Sequence, residues 1–213
     1  MRTRIQMAMQ AGVNWVQVRE KDMAARELVA LVRDAVSAAV AIARATSAGA
    51  TVAASAGAEH AISRVIVNDR LDVALAAGAA GVHLGRESLN ARDVVQWCRS
   101  GNAPPEFLTG VSCHSLEEAR EAESVGASYI FFGPIFETPS KRALGAPQGL
   151  ARLAEVCRSV RIPVIAIGGV DEGNALECVR SGAAGIAAIR MFQEARDTNL
   201  LKGKVQEIQR YMP

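Results

Sequence analysis

Short apolar runs recur along this chain, each closed by glycine or a polar residue and most followed by a stretch of helical spacing; they end near residues 20, 69, 85, 113, 133, 168 and 190. Runs this short and this rich in Val and Ile fit strands buried on both faces, as in a parallel sheet covered by helices. Strand and helix alternating through short loops predict the α/β class. Polar groups at nearly every strand end favour a closed (β/α)8 TIM barrel with one shared mouth over an open sheet with a single crevice. Seven runs are convincing rather than eight, so the expectation is a TIM barrel that lacks its first strand in this chain. The alternative source of an eighth strand is the region around Thr51, inside the Ala- and Ser-rich segment 46–63.

The 213 residues suffice for one sizeable core, and residues 1–213 are read as a single domain. Half the residues are apolar but only 4% are aromatic, which suits parallel strands and close-packed helices rather than a β-sandwich. A net charge of +2 with no long basic run excludes a nucleic-acid surface and leaves phosphate binding local, to a small molecule. Cys98, Cys113, Cys157 and Cys178 form no CxxC pair, so reduced thiols are expected. The longest apolar run, residues 38–43, cannot span a bilayer, and the amino terminus has no signal-peptide core. These features predict a cytoplasmic protein with no membrane partner, and they leave self-association into a homo-oligomer open.

Several strand ends carry groups with chemistry. In NWVQVREK the alternation sets Trp15, Gln17 and Arg19 on one side of a strand, and Gln17, Arg19 and Lys21 gather near its end, unless this is a solvated edge. Asn68 and Asp69 close the run Val65, Ile66, Val67, where an amide and a carboxylate can orient a polar ligand or hold a hard cation; the competing reading is a cap for the next helix. His83 lies within an apolar strand and reads as a satisfied core residue. Arg86, Glu87 and Ser88 follow that strand. Ser115 and Glu118 form a capping box, which leaves Ser112 and His114 open to ligands; Cys113 is not read as a nucleophile. The stretch YIFFGPIFETPSK places Thr138, Ser140 and Lys141 just past a buried strand, and a Gly- and Pro-bearing loop follows it. Gly168 and Gly169, then Arg190, end the last two strands, a pattern that matches a barrel phosphate site.

VQVREKD, IVNDRLDVALAAGAAGVHLG, GVSCHSLEEAREAESVGASYIFFGPIFETPSK, IPVIAIGG and SGAAGIAAI together resemble the thiamine phosphate synthase family and its sister group, the thiazole tautomerases. The resemblance runs from about residue 12 to 190. It implies condensation of 4-amino-2-methyl-5-hydroxymethylpyrimidine diphosphate with a hydroxyethylthiazole phosphate, releasing pyrophosphate, with Mg2+ as cofactor. Arg19, Lys21, Lys141 and Ser112 would be the catalytic residues. Gln17, Arg19, Lys21, Asn68 and Lys141 would hold the pyrimidine diphosphate, Ser112 would touch the pyrimidine, and Val18, Glu20 and Pro139 would be further substrate-binding residues. Thr138, Ser140, Gly169 and the backbone around Ile189 and Arg190 would hold the thiazole and its phosphate. Asp69 would bind the metal, with Ser88 at the family's second carboxylate position.

Three positions depart from the family pattern. Ser88 replaces a carboxylate, with Arg86 where a glutamine is usual, and Arg190 replaces a serine. A hydroxyl brings no charge to Mg2+, so metal affinity should fall. Two further readings follow: a metal-independent thiazole tautomerase that moves protons through His114, and a non-catalytic binder of thiazole phosphate.

Overall fold

A computed structural model describes residues 1–49, 62–138 and 146–212, and the side chains of all but 47–49 among them. The weak segment around Thr51, with His60, and the stretch 139–145, which includes Pro139, Ser140 and Lys141, lie outside the described residues. The described chain divides into two compact units, residues 1–82 with 195–205, and residues 83–194 with 206–213.

In the first unit, α1 (Arg2–Gln10) leads to β1 (Trp15–Val18), α2 (Ala25–Gly49), β2 (Arg64–Asn68) and α3 (Leu71–Ala76). β1 and β2 pair in parallel, Gln17 opposite Ile66 and Val18 opposite Val67, which aligns their carboxyl ends. Their starts are tied as well: Arg64 N–H donates to the Asn14 carbonyl at 2.8 Å, and the Ser63 hydroxyl donates to the Val13 carbonyl at 2.6 Å. Helix α2 buries Leu28, Leu31, Val32, Ala35 and Ala39, an apolar stripe at helical spacing. It is described as far as Gly49.

β3 (Gly81–Leu84) holds the boundary between the units, which falls after Val82. The second unit continues with α4 (Ala91–Trp97), β4 (Leu108–Cys113), α5 (Leu116–Val125), β5 (Tyr129–Phe132), α6 (Gly149–Ser159), β6 (Val164–Ile167), α7 (Ala175–Arg180), β7 (Gly185–Ala187) and α8 (Arg190–Gln193). α9 (Thr198–Gln209) follows, capped at its start by Asp197, whose carboxylate accepts from the Asn199 and Leu200 N–H groups at 2.7 and 2.9 Å. All seven expected strands form, and β4 to β7 pair successively in parallel.

Alternation along these strands separates two environments. Cys113, Ile130, Phe132, Val164 and Ala166 join the core against α5, α6 and α7. Gly110, Ser112, Tyr129 and Phe131 occupy the opposite face, with Ser112 opposite Phe131 in register. The close approach of strands to loop is set by glycine. A Cβ on Gly110 would lie 2.1 Å from the Tyr129 ring, so the phenol rests directly on bare backbone. The capping box predicted for α5 forms: the Ser115 hydroxyl accepts from Glu118 N–H at 3.1 Å, while the Glu118 carboxylate accepts from His114 N–H, one residue outside the usual partner. Among the described residues no helix is long and apolar enough to cross a membrane.

Candidate active site

The first unit gathers polar groups at the aligned ends of β1 and β2. Arg19, Glu20 and Lys21 leave β1 as a loop; Arg19 and Lys21 are exposed and Glu20 is half-buried. Arg19 sits past the strand rather than on its inward face, because β1 ends at Val18. Gln17 is within β1, and its Nε2 is buried with no hydrogen-bond partner among the described residues. A buried amide donor left unpaired costs about 1–3 kcal/mol, so such an atom marks a place for an acceptor.

Asn68 and Asp69 close β2. Asn68 Nδ2 donates to Asp69 Oδ2 at 2.6 Å, and Asp69 holds a left-handed backbone, φ 62°. An L-residue pays about 1–2 kcal/mol for that conformation, although aspartate pays less than most. The N-cap position of α3 is Arg70, whose side chain makes no cap bond. Here the donor set is one carboxylate beside one amide; among the described residues no cluster of three or more His, Cys, Asp or Glu is placed to hold a metal.

In the second unit the two groups expected to be open to ligands are both engaged. Ser112 is half-buried, and its Oγ lies 2.9 Å from His83 Nε2. His83 Nδ1 meets the Tyr129 hydroxyl at 3.2 Å, and the Phe131 ring packs on the imidazole with centroids 4.2 Å apart. His83, only 2% exposed, is thus a core residue as read from sequence, yet one wired to a candidate ligand contact. His114 Nδ1 bonds the Gly133 carbonyl, so Nδ1 carries the proton and Nε2 the lone pair of the neutral ring. After β3, Ser88 closes a tight turn in which its Oγ accepts from Gly85 N–H at 2.6 Å, and Arg86 pairs with Glu118 at 3.7 Å.

The ends of β5 and β6 are bound together by the segment after Gly133. Ile135 N–H donates to the Ile167 carbonyl and Phe136 N–H to the Gly168 carbonyl, both at 2.9 Å. Gly168 (φ +92°) and Gly169 (φ +71°) are required there, since added Cβ atoms would lie 2.5 Å from Pro134 and 2.7 Å from Phe136. Thr138 at the end of that segment is half-buried. Ile189 caps the short helix α8 and Arg190 opens it, both exposed.

A family model described as thiamine monophosphate synthase matches residues 43–192, more than half of the chain. The chain belongs to the thiamine monophosphate synthase family. A thiamine-phosphate synthase of Moorella thermoacetica is 38% identical over 202 residues, covering 94% of this chain and 84% of that protein. One from Roseiflexus sp. strain RS-1 is 38% identical over 193 residues, covering 91% and 72%. Among solved structures, a thiamine phosphate pyrophosphorylase from Pyrococcus furiosus superposes with a TM-score of 0.81 at 28% identity, covering all of this chain and 91% of that one. The fold class is α/β of the TIM-barrel type, as the alternating runs predict.

Within this thiamine monophosphate synthase family member, the predicted site residues among the described ones lie at the carboxyl-terminal ends of strands or in the loops that follow them, the side of the sheet where such folds act on ligands, with Thr138 well beyond the end of β5 at Phe132. Gln17 to Lys21 and Asn68 with Asp69 come together at the β1 and β2 ends; Ser112, His114, Thr138 and Gly169 belong to the β4 to β6 ends. Sequence reasoning left out His83 and Tyr129 as partners of Ser112. A polar residue at the inward position of each of three strands was the available signal, but the register between strands is needed to see that they meet. A cavity of about 380 Å³ between α1 and α2 is lined by helix residues such as Arg2, Leu31 and Asp34 and contains none of these groups.

Proposed function

We propose that the protein joins the pyrimidine diphosphate to the thiazole phosphate, yielding thiamine phosphate and pyrophosphate. The observation that carries this reading is the Asn68–Asp69 pair at the end of β2, joined by a 2.6 Å hydrogen bond and with Asp69 held at a left-handed φ of 62°. A carboxylate kept in a sparsely populated backbone state at a strand end points to function rather than to stability. The family relationship supplies the reaction class; the chain's residues supply the means.

In this reaction the C–O bond to the diphosphate breaks with its electron pair leaving on pyrophosphate, and the thiazole nitrogen forms the new C–N bond. The departing charge needs fixed cations, and the resonance-stabilised pyrimidinylmethyl cation needs a nucleophile already in line. Arg19, Lys21 and Lys141 are the cations, and Gln17 Nε2 and Asn68 offer amide hydrogen bonds. Thr138, Ser140 and the backbone at Gly169 hold the thiazole phosphate, with Ile189 and Arg190 beside it.

Mg2+ takes one or two protein carboxylates and completes its shell with phosphate oxygens and water, so the single carboxylate Asp69 fits an ion that arrives with the diphosphate. Bound there, Mg2+ would neutralise the leaving group. Ser88 adds no charge, and its hydroxyl already accepts from Gly85 N–H at 2.6 Å. Incubation with both substrates and Mg2+ should release pyrophosphate in step with thiamine phosphate; no product from a well-folded, full chain would overturn the proposal.

One observation favours a second reading. The His114 tautomer set by the Gly133 carbonyl leaves Nε2 basic, the state required of a group that shuttles a proton in a thiazole tautomerase. Tautomerisation that persists in EDTA and disappears in His114→Ala, without synthase turnover, would select that reading.

A further inference from the structure

A hydroxyl is both donor and acceptor, and which role Ser112 offers a ligand depends on what its neighbour takes from it. That neighbour is His83, whose two ring nitrogens are both engaged, Nε2 with Ser112 Oγ at 2.9 Å and Nδ1 with the Tyr129 hydroxyl at 3.2 Å. With 2% exposure and aromatic rings against it, the imidazole is taken as neutral, carrying one N–H and one lone pair. Only two arrangements of the chain exist. In one, Tyr129 O–H donates to Nδ1, Nε2–H donates to Ser112, and the Ser112 proton is released to point at a ligand. In the other, Nδ1–H donates to the Tyr129 oxygen, Nε2 takes the Ser112 proton, and Ser112 presents lone pairs alone.

The chemistry of the partners favours the first arrangement. A phenol is a far stronger acid than a neutral imidazole N–H, so it is the better donor in a phenol–imidazole pair. Burial pushes the Tyr129 phenol further above its ordinary range, so it keeps its proton at any working pH. The phenol cannot drift, because it lies on Gly110, where even a methyl group would collide with it at 2.1 Å. Nor can the imidazole turn freely, since Phe131 packs on its face with centroids 4.2 Å apart.

We propose that Tyr129 and His83 are positioning residues that fix the polarity of Ser112, making it a hydrogen-bond donor and so selecting a substrate with an acceptor atom at that point, such as an aromatic ring nitrogen. The inference rests on the reading of Ser112 as a contact to the pyrimidine. The relay itself is a property of the free protein and is tested without turnover.

The chain has three histidines, so ¹⁵N-histidine labelling of the full protein, with His60→Gln and His114→Gln for assignment, isolates the His83 ring in NMR spectra. The expected result is a protonated, pyrrole-type Nε2 and an unprotonated, pyridine-type Nδ1. The opposite pattern overturns the proposal whatever the enzyme's activity. Tyr129→Phe, which keeps the ring on Gly110, should shift the Nδ1 resonance and lower kcat/KM for the pyrimidine diphosphate about tenfold, with KM for the thiazole phosphate unchanged. An unchanged His83 spectrum in Tyr129→Phe would also overturn it. A correct tautomer in a protein that turns over neither substrate would leave the relay standing and overturn only the reading of the site.

Discussion

At the scale of single residues, two of the proposed site groups stand out because they are badly placed for stability alone. Gln17 Nε2 is buried without a partner among the described residues, and Asp69 holds φ 62°. Each should therefore show a trade between stability and function. Gln17→Leu removes the orphaned donor while filling much the same volume, and is expected to leave the protein as stable or up to about 1 kcal/mol more so. The same change should raise KM for the pyrimidine diphosphate severalfold. Asp69→Gly relieves the left-handed backbone but loses the 2.6 Å bond from Asn68, two effects of about 1 kcal/mol and opposite sign. Urea denaturation should place this variant within about 1 kcal/mol of the parent, while synthase turnover falls about 100-fold. Retained turnover would show that Asp69 serves only the turn.

At the scale of elements, the strand ends are held by close backbone contacts, and glycine is where they are most exposed to mutation. Gly168→Ala places a methyl group 2.5 Å from Pro134 at φ +92°, whereas Gly78→Ala, at φ +68°, meets nothing within 4 Å. Both pay the left-handed cost of about 1 kcal/mol, and only the first must also move the segment after β5. The expected loss is about 1 kcal/mol for Gly78→Ala and more than about 2 kcal/mol for Gly168→Ala, read from denaturation midpoints at constant m. Equal losses would mean that the packing of Pro134 on Gly168 has no weight. This level of structure was also the most readable in the sequence. Tyr129–Phe132 and Val164–Ile167 are four-residue apolar runs between turn signals, and both form as strands. Ser115 and Glu118 announce the start of α5, and Gly126 (φ 88°) its end. What periodicity does not carry is pairing. That His83, Ser112 and Tyr129 share one hydrogen-bonded line depends on the register of Gly110 with Tyr129 and Ser112 with Phe131, a relation between strands that no single stretch contains. The left-handed turn at Asp69 was hidden for a similar reason, since an Asn-Asp pair before a helix is equally the signature of a cap.

At the scale of the whole molecule, two conditions should reveal how the parts act together. Burial raises the thiols: Cys113 to about 12, Cys157 and Cys178 to about 11, against an ordinary value of 9.0. A neutral form favoured by the fold adds stability that is complete below pH 9 and is lost as pH climbs through 11 and 12, because only the unfolded chain ionises in that window. Thermal midpoints should thus fall above pH 9 with a slope that flattens in Cys113→Ala, and iodoacetamide should leave Cys113 unmodified in the native state at pH 7. The second condition is ligand linkage. If Asp69 is the metal carboxylate, as proposed, then with no three-residue His, Cys, Asp or Glu cluster among the described residues Mg2+ alone would meet few charged oxygens at this site. At the proposed site, pyrophosphate alone would meet Arg19 and Lys21 but also the negative charge of Asp69. The two together cancel that conflict, so their stabilisation should exceed the sum of their separate effects. Saturation at a hundred times the dissociation constant is worth about 2.7 kcal/mol, which for a chain of this size raises the melting temperature by about 5–10 °C. Scanning fluorimetry with Mg2+, with pyrophosphate and with both should therefore show a large shift only in the third case, and Asp69→Ala should abolish the excess while keeping the small shift due to pyrophosphate. A full shift from Mg2+ alone would mean that the protein holds the ion by itself, contrary to the site derived from Asn68 and Asp69.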